Sequence, residues 1–385
     1  MRKLATIRRI KDIRPIPGAD NIELAIIDGW ECVVSKIDGF EVGEPVIYVE
    51  VDSVLPDRPE FEFMRKRKFR VKTIKLRGQI SQGLVLPLEM FPTIVNSKGL
   101  ETFVETFTEG EDVTEVMGIT KYDPEAEKEK AFYKGMKPNK ISPIKKFLSH
   151  HALGRWILVN VLKQKLTLYF PSWIKKTDEE RIQNLPKLWE HIKKSFIPLF
   201  VTEKLDGTSA TYFYKDGEFG VCSRNLFLVS EDDSPYWEMA KKYRVKETMK
   251  VIVNKFHLKS LVLQGEIIGE GIQKNPYGLK ERRLNLFTCY VDGVKKPHEE
   301  MLFLLNSVYT EQDTIVIPVI PLVPVVSSYL LIPSDYPLEA FIEMTNADKS
   351  VIDSTKLREG LVCRNYEEGI SFKVINPEYL LKKNE

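Results

Sequence analysis

The stretch from Val201 to Ala210 constrains this chain more than any other part of the sequence. It reads Val-Thr-Glu-Lys-Leu-Asp-Gly-Thr-Ser-Ala, and an apolar strand is predicted to end at Lys204, just before the pair Asp206-Gly207. The end of a strand holds a lysine rigidly at the floor of a pocket, where its amine can act as a covalent nucleophile toward a nucleotide α-phosphate. Lys-x-Asp-Gly also occurs in ordinary turns, so further segments have to decide between the two interpretations.

A nucleophilic Lys204 must lose its proton near neutral pH. Because the pKa of free lysine is about 10.4, we expect burial and neighbouring cations to lower the pKa of Lys204. Asp206 cannot help, since a carboxylate raises the pKa of a nearby lysine, and we expect it to bind a ribose or to orient the leaving proton. Strand periodicity predicts that Thr202, Lys204 and Asp206 share one face.

Composition sets the scale of the fold. The chain has 385 residues, 43% of them hydrophobic, and a net charge of +2, which predicts two or three domains and gives no overall basic character. Four widely spaced cysteines favour buried free thiols in a reducing, intracellular compartment over a zinc site or disulfides.

No targeting or membrane segment is expected. Met1-Arg2-Lys3-Leu4 leads into an alternating pattern rather than the apolar core of a signal peptide. The most apolar span, residues 156–170, is interrupted by Lys163 and Lys165 and is too short to cross a bilayer. We therefore expect no membrane partner.

Residues 1–118 are predicted to form a small β-barrel. Short alternating strands are separated by turn signals such as Asp38-Gly39, and their number and spacing favour an OB-fold. A dense basic run in this region predicts a strand with one basic face that binds an RNA backbone, the alternative being a solvated surface strand. The run consists of Arg65, Lys66, Arg67, Lys68, Arg70, Lys72, Lys75 and Arg77.

The rest of the chain is predicted to be a connector and a larger domain. Residues 119–165 indicate a basic connector that becomes apolar and helical from Ile144 onward. Residues 166–385 alternate strands and helices without a βαβ repeat, and Asp216-Gly217 and Asp292-Gly293 predict tight hairpins. The predicted class is α+β with a mostly antiparallel sheet and flanking helices.

Three further residues in this larger domain fit a nucleotide site. Arg224 follows a strand and could pair with two phosphate oxygens, although a surface arginine at a turn is the plain alternative. Glu266 lies in a buried apolar strand, where a carboxylate needs a partner such as a ribose hydroxyl or a metal. Phe287 could stack on a base or simply belong to the core.

The last informative segment is a hairpin. Leu357 to Asn365 and Ile370 to Asn376 are predicted to pair, which brings Glu359 and Lys373 onto adjacent strands. A carboxylate and an ammonium facing one pocket could hold a divalent metal and a triphosphate. A cross-strand ion pair is the alternative.

In this order the motifs resemble the covalent nucleotidyltransferase superfamily of ligases and capping enzymes, and within it the RNA ligase 2-like branch. The N-terminal part resembles the OB module that precedes the transferase domain in one RNA ligase subfamily. The motifs are Lys204-Leu-Asp-Gly, Ser223-Arg224-Asn225, Gly265-Glu266, the Phe287 strand, Glu359-Gly360-Leu361-Val362 and Ser371-Phe372-Lys373, with residues 176–184 just upstream.

This resemblance implies roles for single residues. Lys204 would carry AMP, with Asp206 and Lys373 as further catalytic residues and with Glu359 and Glu266 as metal ligands. ATP would be the AMP donor, and Mg²⁺ or Mn²⁺ the metal. The implied nucleotide-binding residues are Glu203, Gly207, Arg224, Glu266, Phe287, Glu359 and Lys373.

Two departures from the family pattern stand out. Ser371 and Ile375 flank Lys373 where a second lysine is usual, and Ser209 replaces an arginine that is common in capping enzymes and DNA ligases but not in RNA ligases. Only 385 − 373 = 12 residues follow Lys373, which disfavours enzymes that carry an OB domain after this motif.

The expected protein is an ATP-dependent RNA ligase that acts in RNA repair. It would join RNA 3′-hydroxyl and 5′-phosphate ends, nicked duplexes among them, through a lysyl-AMP intermediate and an adenylylated 5′-phosphate, and a monomer is expected. The alternatives are a non-catalytic RNA-binding protein with a degenerate transferase domain, and a nucleotidyltransferase of the capping or DNA ligase type.

Overall fold

Two β-rich units account for most of the residues that the computed structural model describes, which are 3–90, 108–122, 151–161, 167–310 and 318–384. Most of the predicted connector, including residues 123–150 and 162–166, lies outside these ranges. The connector residues 152–161 are helical, as predicted.

Alternating burial forms the strands of the first unit. In strand β4 (Trp30–Ser35), the side chains of Trp30, Cys32 and Val34 point into the core while the residues between them are partly exposed. This alternation is the two-residue period of a strand. Antiparallel pairing gives the orders β1-β5-β9 and β2-β3-β4 and the pairs β6-β10 and β7-β8. The strands are β1 (Ala5–Arg9), β2 (Asp12–Pro15), β3 (Ile22–Ile27), β4 (Trp30–Ser35), β5 (Pro45–Val49), β6 (Ser53–Val54), β7 (Ile74–Leu76), β8 (Gln79–Ser81), β9 (Leu84–Pro87) and β10 (Thr120–Lys121).

The predicted basic strand of this unit is wrong over its first half. Arg65 to Arg67 end a 3₁₀ helix, Pro59–Arg67, and Lys68 has a positive φ of 52°. Phe61 and Met64 are buried three residues apart, which is the period of a 3₁₀ helix rather than of a strand. Of the run, only Lys75 lies in a named strand, β7 (Ile74–Leu76), and Arg77 has a positive φ of 49°. The other helices of the unit are short: the 3₁₀ turn Lys36–Asp38 and α1 (Thr114–Met117).

Two antiparallel sheets form the second unit. The larger has the order β11-β15-β14-β13-β16-β17-β18, and the smaller has the order β19-β12-β20-β21. The mostly antiparallel prediction is confirmed. The strands are β11 (Thr167–Tyr169), β12 (Leu199–Lys204), β13 (Thr208–Lys215), β14 (Glu218–Cys222), β15 (Leu226–Leu228), β16 (Ser260–Ile268), β17 (Arg283–Val291), β18 (Val294–Lys296), β19 (Val325–Leu330), β20 (Gly360–Asn365) and β21 (Ile370–Ile375).

The predicted hairpins have the expected turn geometry. Asp216 and Gly217 have φ of 51° and 78°, and Asp292 and Gly293 have φ of 50° and 82°. Two successive positive φ values define the turn that suits a two-residue hairpin. β13-β14 and β17-β18 are therefore joined as the sequence predicts.

Helices cover the outer faces of both sheets. α4 to α6 pack on the larger sheet through a core that includes Tyr212, Met249 and Met301, and α3 and α7 pack on the smaller sheet, where the rings of Trp189 and Phe341 lie 5.1 Å apart. The helices are α2 (Ala152–Trp156), α3 (Pro186–Lys194), α4 (Pro235–Lys242), α5 (Val245–Lys255), α6 (His298–Asn306), α7 (Leu338–Glu343) and α8 (Pro377–Asn384), with a π-helical turn at Ile157–Val161 and 3₁₀ turns at Ile182–Asn184 and Ser307–Thr310.

The four cysteines are buried free thiols: Cys32, Cys222, Cys289 and Cys363. Burial raises the pKa of Cys289 and of Cys363 to about 12. Among the described helices, none has the length and apolar character needed to span a membrane.

Candidate active site

Lys204 lies where the chain crosses from one sheet to the other. β12 of the smaller sheet ends at Lys204, and β13 of the larger sheet begins at Thr208. Gly207 is required in this crossing, because a Cβ atom there would lie 2.3 Å from the Ile267 carbonyl oxygen. The predicted strand end is confirmed, and it fixes Lys204 between the two sheets.

A cleft of about 450 Å³ opens at this crossing. Both sheets, α8 and the first unit contribute to its walls. The predicted residues in the cleft are Glu203, Lys204, Asp206, Gly207, Arg224, Glu266, Phe287, Glu359 and Lys373. The first unit adds Val51, Asp52, Arg70, Thr73, Lys121 and Tyr122.

One wall of the cleft is acidic; we call it the acidic wall and define it by Asp206, Glu266 and Glu359. The Lys204 Nζ lies 2.7 Å from the Glu359 Oε2, and the two side chains are only 27% and 10% exposed. Burial by itself lowers the pKa of Lys204, but the carboxylates of Glu359, Glu266 and Asp206 outweigh burial and raise it. The expectation that neighbouring cations lower this pKa is wrong for the ligand-free protein, because the nearest charges are carboxylates.

Asp206 is buried and held by α8. Its carboxylate accepts hydrogen bonds from the Tyr379 hydroxyl at 2.8 Å and from the Lys383 ammonium at 2.7 Å. Its backbone N–H donates to the Tyr277 hydroxyl at 2.7 Å. Both carboxylate oxygens therefore have partners in the ligand-free site.

The opposite wall is basic; we call it the basic wall and define it by Lys121, Arg181, Arg224, Arg364 and Lys373. Asp178 lies among three of these groups: the Lys373 Nζ is at 3.3 Å, the Arg224 guanidinium is at 3.6 Å, and Lys121 forms a short ion pair. Burial alone would raise the pKa of Asp178, but Lys373, Lys121 and Arg224 hold it well below its usual range. This carboxylate stays ionised and balances the wall.

Glu359 and Lys373 both reach the cleft, as predicted, but they are not directly opposite each other. Lys373 pairs with Val362 in the register of β20 and β21, and Glu359 precedes β20. The Glu359 carboxylate contacts Lys204 within the acidic wall. The Lys373 ammonium contacts the Asp178 carboxylate at the basic wall.

Two buried arginines of the basic wall have no assigned role in the sequence prediction. Arg364 is 3% exposed, and its guanidinium lies 3.4 Å from the Thr202 hydroxyl and 3.4 Å from Glu179. Arg181 is 4% exposed and lies 3.8 Å from Asp52 of the first unit. Strand periodicity could have identified Arg364, because it shares a face with Val362 and Thr202. Arg181 lies in the segment 176–184 that the resemblance includes, but that resemblance implies no role for it.

The register also addresses the missing second lysine. Ser371 lies directly opposite Arg364 in the β20-β21 pair. Arg364 therefore places a guanidinium next to Ser371, one of the two residues that flank Lys373.

A β-bulge turns Phe287 toward the cleft. Gln264 pairs with Thr288 and Gly265 pairs with Leu286, so Phe287 is the extra residue in β17. Bulges of this kind redirect a side chain, and Phe287 packs beside Leu205 and Val323 in the cleft. Its predicted contact with a base stays a prediction.

Glu203 has a structural partner. It is 1% exposed, and its carboxylate accepts a hydrogen bond from the Val351 backbone N–H at 2.8 Å. Burial raises the pKa of Glu203. The contact fastens the segment before β20 to β12, and the predicted nucleotide contact of Glu203 remains untested.

The basic run of the first unit is divided among several surroundings. Arg65 is exposed and paired with Asp57 and Glu62. Arg70 lies in the cleft, 2.7 Å from Asp52, with its guanidinium 3.5 Å from the centre of the Tyr122 ring. Lys75 lies 3.6 Å from Glu378 of α8. Lys66, Arg67, Lys68 and Arg77 are exposed, and Lys72 is half-buried.

The described residues contain no group of three or more acidic, histidine or cysteine side chains positioned to hold a metal ion. The acidic wall nevertheless offers hard carboxylate oxygens. Mg²⁺ is usually held by one or two carboxylates together with substrate phosphates rather than by a complete protein cage. The predicted ligands Glu359 and Glu266 fit a metal that arrives with a nucleotide.

Comparisons with known proteins agree with this geometry. Family models match an OB-fold domain at residues 4–88 and the RNA ligase family at residues 197–375. A solved structure of Naegleria gruberi RNA ligase with PPi is 31% identical, covers 99% of this chain and 98% of that chain, and superposes with a TM-score of 0.74. A mutant of the same enzyme with ATP and Mn is 31% identical, covers 100% of both chains and gives a TM-score of 0.75. A comparison with curated protein sequences gives no significant match.

The fold and the cleft define a nucleotidyltransferase-type ligase with an OB-fold domain ahead of an α+β domain. The chain belongs to the RNA ligase family. The predicted resemblance, fold class and assignment as an enzyme are confirmed.

Proposed function

We propose that the protein is an ATP-dependent RNA ligase that joins RNA 3′-hydroxyl and 5′-phosphate ends during RNA repair. The single observation that carries the proposal is the Lys204 amine, 2.7 Å from Glu359 at the crossing between two sheets, with a basic wall opposite. This arrangement provides a nucleophile, carboxylates for a metal and cations for phosphates. The N. gruberi ligase structures with ATP and Mn, and with PPi, support the same cofactors here.

The reaction divides into three displacements at phosphorus. The Lys204 Nζ attacks the α-phosphorus of ATP, a nitrogen–phosphorus bond forms, and the bond to the β-phosphate oxygen breaks to release pyrophosphate. An oxygen of the RNA 5′-phosphate then takes AMP from Lys204. Finally the RNA 3′-hydroxyl attacks the 5′-phosphorus, and AMP leaves as the phosphodiester forms. The chemistry is mostly positioning and charge neutralisation.

Lys204 must become neutral for the first step. In the ligand-free cleft, the contact with the Glu359 carboxylate favours the protonated form of the Lys204 amine. Glu359 and Glu266 would hold Mg²⁺ or Mn²⁺, and carboxylates engaged by a metal would raise the pKa of Lys204 less, so that the amine could release its proton to solvent before it attacks. The metal would also neutralise charge on the phosphate oxygens.

The other residues of the cleft have separate proposed roles. Arg224, Lys373, Arg181 and Arg364 would bind phosphates, with Arg364 supplying the charge of the missing second lysine. Phe287 would stack on adenine, and Gly207 leaves room for the nucleotide. Asp206 would keep the catalytic role implied by the resemblance.

The domain division is part of the proposal. Residues 1–118 would bind RNA, residues 119–165 would connect, and residues 166–385 would transfer AMP. The pairing of β10 with β6 extends the first unit to Tyr122, so the connector would begin after that residue. Contact with the RNA backbone is assigned to the basic run from Arg65 to Arg77 and is expected to follow duplex shape rather than base sequence. The proposed substrates include nicked duplexes, and the proposed state is a monomer.

Labelling tests the first step. The protein is incubated with ATP labelled at the α-phosphate and with Mg²⁺ or Mn²⁺, then denatured and separated on a gel. We expect a label that survives denaturation in the wild type and in Lys382→Ala but is absent in Lys204→Ala. Absence of label with both metals would contradict the proposal, and RNA binding without label would favour a non-catalytic RNA-binding protein.

The joining steps need RNA. A panel of nicked duplexes, each strand being RNA or DNA, is expected to show joining when the nick carries RNA 3′-hydroxyl and 5′-phosphate ends. Joining of DNA ends alone, without RNA ends, would overturn the assigned substrate.

A further inference from the structure

Helix α8 inserts two polar side chains into the acidic wall. Tyr379 and Lys383 are four residues apart and therefore lie on one face of the helix. The Tyr379 hydroxyl donates to one oxygen of Asp206 at 2.8 Å, and the Lys383 ammonium donates to the other at 2.7 Å. A residue of this helix thus holds each oxygen of a carboxylate that is only 6% exposed.

The two contacts differ in how easily they can be exchanged. Tyr379 is 8% exposed, and its backbone N–H donates to the Asn376 side chain at 3.1 Å. Asn376 is fully buried, and its backbone N–H donates to the Glu359 carbonyl at 2.9 Å. The start of α8 is therefore fastened to the residue that contacts Lys204. The Lys383 side chain is 41% exposed and sits at the far end of the helix.

The acidic wall thus contains two ammonium groups, each on its own carboxylate. Lys204 neutralises Glu359, and Lys383 neutralises Asp206. Lys204 is the proposed nucleophile and must stay in the cleft, whereas Lys383 can swing into solvent on a long flexible side chain. A buried carboxylate that loses an ionic partner is left with an electrostatic cost, so the departure of Lys383 favours another cation at Asp206.

We propose that Lys383 is an exchangeable counter-cation of Asp206, which a divalent metal displaces when it binds at the acidic wall, while Tyr379 keeps the Asp206 carboxylate in position. Both are positioning residues for the acidic wall. This inference rests on the proposed function. It assigns a role to α8, which lies outside the predicted motifs.

Direct metal binding tests the exchange. Mn²⁺ is titrated into the nucleotide-free protein and the free ion is measured by electron paramagnetic resonance. Lys383→Met removes the competing cation, so we expect Mn²⁺ to bind about fivefold or more tightly. Lys383→Arg keeps the charge and should resemble the wild type. Lys382→Met is the matched control, because Lys382 is an exposed neighbour on α8 without an ion pair to a described residue, and it should change nothing.

The same variants are then compared in lysyl-AMP formation. Lys383→Met is expected to reach its half-maximal rate at a Mn²⁺ concentration lower by a similar factor, and Asp206→Asn should abolish the difference in Mn²⁺ binding between wild type and Lys383→Met. Lys383→Gln serves as a second neutral variant if Lys383→Met folds poorly. A merely structural role of Lys383 would change thermal stability without moving the metal dependence.

The outcomes separate this inference from the proposed function. Unchanged or weaker Mn²⁺ binding in Lys383→Met, in a protein that still labels with AMP, overturns the exchange and leaves the ligase proposal standing. Tighter binding in a protein that never labels supports the exchange and overturns the proposed function. An effect of Lys383→Met on RNA affinity, with metal binding unchanged, would identify Lys383 as an RNA contact instead.

Discussion

The two walls of the cleft carry opposite charges but are built on the same plan. In the acidic wall, lysines from β12 and α8 neutralise Glu359 and Asp206. In the basic wall, Asp178 and Glu179 neutralise Lys373 and Arg364. Both walls therefore contain internal ion pairs before any ligand arrives. Because buried charges are costly without partners, we expect ligands to exchange with these internal partners, with metals binding at the acidic wall and phosphates at the basic wall.

The origin of the counter-charges differs between the walls. The acidic wall receives its counter-charges from the second unit, whereas the basic wall receives one of its cations, Lys121, and one counter-charge, Asp52, from the first unit. We therefore expect a displacement of the first unit to change the proposed phosphate contacts of the basic wall before it changes the position of Lys204.

The largest effect is expected from the acidic wall. Glu359→Gln removes the carboxylate next to Lys204, and we expect lysyl-AMP formation to fall by about 100-fold, with a higher metal concentration needed for half-maximal rate. Labelling at varied Mn²⁺ and fixed ATP measures both. If Glu359→Gln changed only the affinity for ATP and left the metal dependence unchanged, the result would contradict the distinction between the two walls.

A smaller effect is expected from the basic wall. Lys373→Met removes the proposed charged contact to phosphate, and we expect the KM for ATP in lysyl-AMP formation to rise about tenfold or more, with the Mn²⁺ dependence unchanged. Lys295→Met is the control, because its ammonium lies 3.7 Å from Glu179 but outside the cleft. Equal losses in both variants would show that general charge, rather than the cleft, sets the affinity.

The smallest effect concerns the protonation of Lys204. The neighbouring carboxylates raise the pKa of Lys204, so a smaller fraction of this amine is neutral at a given pH. In metal-free protein we expect an acylating reagent to modify Lys204 more slowly than Lys382 between pH 7 and 9. Glu359→Gln lowers the pKa and should speed the modification several-fold. Mass spectrometry of digested protein gives the two rates, and equal rates in wild type and variant would contradict the pKa direction.

Local patterns predicted the parts of the site that depend on neighbours in sequence. The strand end at Lys204, the hairpin turns at Asp216 and Asp292, and the pairing of β20 with β21 follow from strand periodicity and from turn chemistry. Each of these features is determined by a few residues that lie close together in the sequence.

The remaining features depend on contacts between distant segments. Lys204 meets Glu359 across 155 positions, and Asp206 meets Lys383 across 177. The pKa direction of Lys204 was therefore mispredicted, because the identity of its neighbours is a tertiary property. The bulge at Phe287 depends on the register of β16 against β17. Arg70 reaches the cleft only because the first unit forms one of its walls.

The buried thiols have a practical consequence for studying the motions of this enzyme. Each of the four cysteines is 1% exposed or less, and thiols with raised pKa values in apolar surroundings react poorly with alkylating reagents. A cysteine introduced on an exposed face of α8 and another on β7 would then accept fluorescent dyes selectively. Distances between the dyes could report, in a single molecule, whether the helix moves when ATP enters.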